Sequence, residues 1–226
     1  MSDKPLDLTV HSLPAPGNGA EQDPTRTHRG RWQMMGVLLL CAAPVIASYF
    51  TYYVIRPEGR RNFGDLIDPQ RPLPEMGSLA LDGKPLTLRA LKGQWLLISV
   101  ATGDCNVACL NHLYLQRQLR ESLGKDKDRL DWVWLVTDAQ PIVTALQPAL
   151  AQATVVRVDA AALATWLAPA TGKTLPDHLY VVDPLGNWMM RLPATPVGDS
   201  VGFAAKAKAD LQRLMRASAF WDTAGR

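Results

Sequence analysis

From Met34 to Ile55 the chain runs for 22 positions without a formally charged side chain. Roughly 20 predominantly apolar residues suffice for a helix to cross the hydrocarbon core of a bilayer. The run therefore divides the chain, and whatever folds in water lies to one side of it. Trp32 at one end and Tyr49, Tyr52 and Tyr53 at the other are placed like interfacial aromatic belts. Pro44 lies inside the run, a position that membrane helices tolerate. A cleaved signal sequence would have a shorter apolar region followed by small residues. Here the run ends in bulky aromatics and Arg56-Pro57, so it reads as an uncleaved anchor over residues 32–55. Cys41 follows Leu38-Leu39-Leu40 within it and reads as a small apolar residue in lipid.

Arg26, Arg29 and Arg31 precede the anchor, while Arg56, Arg60 and Arg61 follow it. The positive-inside count does not orient it. Residues 1–31, rich in Pro, Gly, Asp and Thr, read as a disordered tail. Asp3, Asp7, Glu21 and Asp23 argue against a mitochondrial transit peptide, which favours a bacterial inner membrane. Residues 56–76, with Pro57, Pro69, Pro72 and Pro74, read as a semi-extended connector. A folded domain is expected over 77–219 and a short tail over 220–226. The net charge of +3 is spread without a long basic run, so a nucleic-acid partner is not indicated. Three cysteines are too few for a disulfide framework.

Within the domain, apolar runs at 78–81 and 85–88 flank Asp82-Gly83, a hairpin turn signal. Residues 94–101, 130–137 and 155–158 read as buried strands, apolar on both faces. Helices are expected over 106–123, 141–151, 160–167 and 199–217. Residues 178–183 and 188–192 flank Pro184-Leu185-Gly186-Asn187, whose composition suits a hairpin turn. Strands that alternate with helices imply a parallel core, and the closing hairpin adds antiparallel strands. This order is that of thioredoxin-like folds. The expected class is α/β, a central mixed sheet flanked by helices and preceded by a single transmembrane helix.

Cys105 and Cys109 fall where the first buried strand turns into a helix. Helix dipole and free backbone N–H groups stabilise thiolates at such a place. The i, i+4 spacing allows either a disulfide or shared ligation of one metal ion. Two thiolates and an imidazole suit Cu(I), with Zn(II) not excluded by ligand type. A structural disulfide is the plainer alternative. Gly172-Lys173-Thr174 has Leu167 where a P-loop needs Gly, and signifies nothing.

Leu91-Lys92-Gly93-Gln94-Trp95-Leu96-Leu97-Ile98 and Thr102-Gly103-Asp104-Cys105-Asn106-Val107-Ala108-Cys109, with Val136-Thr137-Asp138 and Asp183-Pro184-Leu185-Gly186, resemble the Sco/SenC family over about residues 77–217. The linker Asn62-Phe63-Gly64-Asp65-Leu66-Ile67 is similar to that of small Sco-like proteins encoded beside proteobacterial oxidase genes. The resemblance implies a membrane-tethered thioredoxin fold that helps load copper into cytochrome c oxidase. It also implies a cytoplasmic N-terminus, a periplasmic domain, and an oxidase subunit or other copper-site protein as partner. Asn106 and Leu110 stand where the family has Pro after each cysteine, and the family's copper-binding His would align near Leu175.

The candidate metal ligands are Cys105, Cys109 and His178, with His112 as the alternative third ligand. His112 makes i, i+4, i+7 spacing with the cysteines, one face of a helix. Pro176 precedes a strand as the cis-proline of thioredoxins does, next to the redox pair, which would make disulfide exchange the chemistry. The expected function is Cu(I) handling in cytochrome c oxidase assembly, with thiol–disulfide oxidoreduction of a partner's copper-site cysteines and a scaffold without chemistry as the alternatives.

Overall fold

The computed structural model describes residues 24–55, 62–195, 200–220 and 222. The chain forms two compact units, Met1–Arg60 and Arg61–Arg226. In the first, helix α1 (Pro24–Phe50) continues into a π-helical turn, Thr51–Ile55. Its residues His28–Val54 are long and apolar enough to cross a membrane, by length and composition. Trp32, Leu38, Leu39, Leu40, Tyr52 and Val54 are all exposed, which in water would leave a large apolar surface uncovered. The helix starts earlier than the anchor expected at residue 32. Pro24 suits a first helical turn, and elongation is easy once a turn has formed. The rest of the expected tail, residues 1–23, lies outside the described residues, as do 56–61 of the connector.

The second unit is built on an eight-stranded sheet with order β1-β8-β7-β4-β5-β6-β2-β3. The strands are β1 (Asp65–Pro72), β2 (Gly77–Ala80), β3 (Pro85–Thr87), β4 (Trp95–Ala101), β5 (Leu130–Val136), β6 (Thr154–Val158), β7 (Leu179–Val182) and β8 (Asn187–Arg191). β4 pairs parallel with β5 and antiparallel with β7, and β5 pairs parallel with β6. All seven residues of β4 are buried, because each faces a packed layer. Leu96, Ile98 and Val100 point to one face, where they meet Leu163 and Trp166 of α3 (Ala160–Trp166). Trp95 and Leu97 point to the other, against Leu115 and Leu119 of α2 (Val107–Ser122) and Phe203 and Leu211 of α4 (Ser200–Ala217). This two-residue alternation is the strand period expressed as packing, and each such fully buried side chain is worth about 1.5–3 kcal/mol.

One polar group crosses this interior. Gln116 on α2 is wholly buried. Its amide donates to the carbonyl oxygens of Leu97 and Val133 at 2.7 and 3.0 Å, and its oxygen accepts from Ser99 Oγ at 3.0 Å. The bonds offset the cost of burying the amide and tie α2 to both central strands beneath the cysteines.

Two sequence expectations are corrected here. Much of the segment read as connector belongs to the sheet: β1 pairs antiparallel with β8 along its edge, with an irregularity between Leu66 and Arg71. Its two prolines are tolerated because an edge strand needs donors on one side only. Asp210 on α4, also buried, accepts the backbone N–H groups of Phe63 and Gly64 at 2.7 and 2.9 Å. Leu73 is fully buried. The helix expected over 141–151 is instead a 3₁₀ run, Thr144–Leu150, with Pro148 inside it. Proline removes a helix donor and its ring clashes with the preceding turn, which disfavours a regular α-helix here.

Candidate functional site

The chain leaves β4 at Ala101 and enters α2 at Val107, and the intervening loop carries Cys105. Cys105 and Cys109 are joined by a disulfide, their Cα atoms 5.1 Å apart. Both are about one-twentieth exposed, packed with Leu113, Trp132, Trp134 and Val136. Asn106 is the N-cap of α2, and its side-chain oxygen accepts the Cys109 N–H at 3.0 Å. Asn is among the preferred N-cap residues. The residue standing where the family has proline therefore fixes the helix start between the two sulfurs.

Cys105 has φ +43°, a left-handed conformation that costs a non-glycine residue on the order of 1–2 kcal/mol. A chain of contacts over-determines it. The Cys105 N–H donates to Thr102 O at 3.1 Å. The Gly103 N–H donates to Asp138 Oδ1 at 2.8 Å, and a Cβ at residue 103 would strike the Gln140 carbonyl oxygen. Arg157 on β6 in turn donates to the carbonyl oxygens of Asp138 and Gln140 at 2.7 and 2.8 Å. Arg157 thus positions the cysteine loop from two strands away. It reads in sequence only as one polar residue in an apolar strand, and no motif marks it.

The histidines are placed differently from expectation. His178, the favoured third ligand on sequence grounds, is buried just before β7. Its Nδ1 lies 2.9 Å from Leu192 O, a carbonyl that can only accept, so Nδ1 carries the proton. Its Nε2 then accepts the Ala170 N–H at 3.2 Å. Both ring nitrogens are therefore committed to backbone. His112, also buried, lies one helical turn beyond Cys109, and its Nε2 is 2.7 Å from Thr195 Oγ1. Among the described residues, no group of three or more His, Cys, Asp and Glu side chains is gathered to hold a metal ion. Leu175, where the family's histidine aligns, sits in the 3₁₀ turn Leu175–Asp177, which packs on β4 and α2. Pro176 in that turn is trans, the one cis peptide among the described residues being Asp68–Pro69. The cis-proline role proposed for it is corrected on that ground.

Burial holds both imidazoles below the ordinary histidine value of 6.5, opposed at His112 by the Asp177 carboxylate and reinforced there by His178. At His178 the Leu192 bond opposes the shift. A depressed folded-state value means that, below pH 6.5, the unfolded chain takes up protons that the folded chain refuses. Stability present above pH 6.5 is thus lost as pH falls through the folded values. In denaturant titrations between pH 7 and pH 5 the unfolding midpoint is expected to fall, and His112→Asn to flatten that fall.

A mixed sheet with helices on both faces, and a disulfide where the central strand passes into its helix, define a thioredoxin-fold domain. Residues 95–218, more than half of the chain, match the family model described as the transmembrane-like, thioredoxin-like, C-terminal domain. The chain belongs to that family, and the thioredoxin-like fold read from its sequence is borne out.

Solved structures to which it is similar include solution structures of apo Sco1 from Thermus thermophilus (15% identity, 70% of this chain and 99% of that one, TM-score 0.48). Yeast Sco1 with copper bound is another (13% identity, 70% of this chain and 96% of that one, TM-score 0.48). A third is the thioredoxin domain of a thiol-disulfide oxidoreductase from Bacteroides vulgatus (15% identity, 63% of this chain and 94% of that one, TM-score 0.44). No curated protein sequence matches.

Proposed function

We propose that this chain is a membrane-anchored thiol–disulfide oxidoreductase that keeps the copper-site cysteines of a partner reduced during cytochrome c oxidase assembly. The observation that carries the reading is the Cys105–Cys109 disulfide at the N-terminal end of α2, with both ring nitrogens of His178 engaged elsewhere. In the reduced pair, the thiolate at the helix start attacks a partner disulfide and forms a mixed disulfide. The second thiol then gives up its proton and displaces the partner sulfur. The partner leaves as a dithiol and Cys105–Cys109 returns to the bonded form. Copper and oxidase enter from the sequence resemblance, as does a bacterial inner-membrane location with a cytoplasmic N-terminus and a periplasmic domain. A bonded cysteine pair also suits an oxidising compartment.

A second reading treats Cu(I) as cargo, held by reduced Cys105 and Cys109 with a histidine. The position of His112, one turn beyond Cys109 on the same helix, favours it. His178 could join only by giving up the Ala170 N–H. Titrating the reduced full chain with Cu(I) against a competing chelator separates the readings. Under thiol exchange alone, the chelator strips the metal from the wild type and from His112→Ala and His178→Ala alike. A stoichiometric ion retained by the wild type and lost in one histidine variant establishes the cargo reading and names its third ligand.

A further inference from the structure

Beside the disulfide, α2 and the 3₁₀ run Thr144–Leu150 border an open groove with a cavity of about 130 Å³. Leu110, Leu113, Tyr114, Trp132 and Leu150 line it, with Arg117 at its rim. The groove is continuous with the site. Leu113, Trp132 and Leu150 belong to the same packed cluster as Cys105 and Cys109, and Leu110 directly follows Cys109. On the outer face of α2, Val107, Leu110 and Tyr114 are exposed at helical spacing, so the apolar surface extends from the cysteines into the groove. Arg117 is exposed and makes no hydrogen bond or ion pair among the described residues. The nearby Glu121 carboxylate is already held by Arg120 and Lys127, so an apolar slot next to a sulfur pair ends in a cation with no oxygen of its own to pair with, the chemistry of a peptide-docking surface.

We infer that this groove receives an extended segment of the thiol partner, a bulky apolar side chain filling the cavity and a carboxylate meeting Arg117. The inference rests on the thiol-exchange reading above and names the sequence that reading acts on. The cavity is close to the ~150 Å³ that accepts a benzene ring, which fits one aromatic or branched aliphatic side chain. Helical rise places Leu113 about 6 Å and Arg117 about 12 Å along α2 from Cys109. An extended peptide advances about 3.3 Å per residue. The partner cysteine is therefore followed or preceded by the apolar residue at about two positions and the acid at about four. Complementary rim charge speeds encounter and rejects wrong partners, so the acid serves selection as much as affinity.

The test uses the oxidised full chain in lipid nanodiscs and short synthetic peptides as reductants. The peptide thiolate attacks one sulfur of the Cys105–Cys109 bond, the other sulfur leaves as a thiolate and takes a proton, and a second peptide thiol resolves the mixed disulfide. A peptide with Cys, Trp two positions on and Asp four positions on, or its reverse, is expected to react about tenfold faster per thiolate than one with Gly for Trp and Asp. Arg117→Glu is expected to reverse the charge preference, slowing the Asp peptide and speeding one with Lys in its place. Equal rates for all peptides in wild type and Arg117→Glu, with normal reduction by glutathione, overturn the groove and leave the thiol reading intact. Failure of glutathione and every peptide to reduce the bond overturns the thiol reading instead. A chain dimer that Leu110→Asp dissociates, or peptide selectivity that appears only in lipid-free detergent, assigns the groove to a second copy or to lipid and overturns the proposal.

Discussion

With Cys105→Ser and Cys109→Ser combined, exchange with a partner disulfide is expected to fall to the uncatalysed background. The loss is on the order of a thousandfold or more, as for removal of any attacking nucleophile. The fold is expected to survive. A disulfide closing so short a loop contributes about 2 kcal/mol through the unfolded chain, against a core of fully buried aromatic and aliphatic side chains on both faces of β4 and β5. Single variants divide the reaction. If Cys105 attacks, Cys109→Ser accumulates a stable mixed disulfide with a thiol partner, whereas Cys105→Ser accumulates none; the reverse pattern assigns attack to Cys109. Mass spectrometry of the trapped adduct reads the outcome. A double variant that supports oxidase assembly as well as the wild type would instead mark the domain as a scaffold.

Asp222→Ala is expected to cost about 2–3 kcal/mol, because charge-assisted hydrogen bonds to a buried carboxylate are lost while Arg129 keeps a second carboxylate. The Asp222 side chain is fully buried and lies 2.6 Å from the Arg129 guanidinium, which is itself about one-eighth exposed. The same carboxylate oxygen accepts from Trp95 Nε1 at 2.9 Å and Ser218 Oγ at 3.1 Å. Without it, Arg129 keeps Asp126, the Met215 carbonyl and Ser218 Oγ, and the indole N–H keeps only Ser218. Chemical denaturation followed by tryptophan fluorescence measures the change. A loss below about 1 kcal/mol would mean that the pair behaves as an exposed one. The residue falls in the stretch 220–226 read from sequence as a tail, and that reading is corrected at Asp222.

What was legible in the sequence follows from physical cause. β4, β5 and β6 announce themselves because a strand buried on both faces must be an apolar run. α2 and α4 show because a half-buried helix carries an apolar stripe. β1 was hidden: an edge strand with prolines and exposed charges looks like a linker, and its place in the sheet depends on a partner strand more than a hundred residues later. The cysteine pair was legible because position in the strand–helix turn carries its chemistry. Its setting was legible only in part. Gly103 and Asp138 stand in the family-like motifs, but Arg157 does not, because its guanidinium acts on backbone carbonyls, which leave no side-chain pattern. Asn106 looked like a departure from a family motif, yet it is a helix cap. His178 shows the limit most plainly, since residue type names a possible ligand and only the fold shows Ala170 and Leu192 holding its two nitrogens.

The central claim is that Cys105 and Cys109 form a working redox couple rather than an inert staple. Equilibrating the full chain in nanodiscs with thiol–disulfide buffers of graded potential, and alkylating the free thiols, tests it most directly. The pair is expected to titrate as one two-electron couple between about −180 and −270 mV, the range of oxidoreductases that exchange with partner proteins. A couple that stays bonded below about −300 mV, as structural disulfides do, would contradict the account.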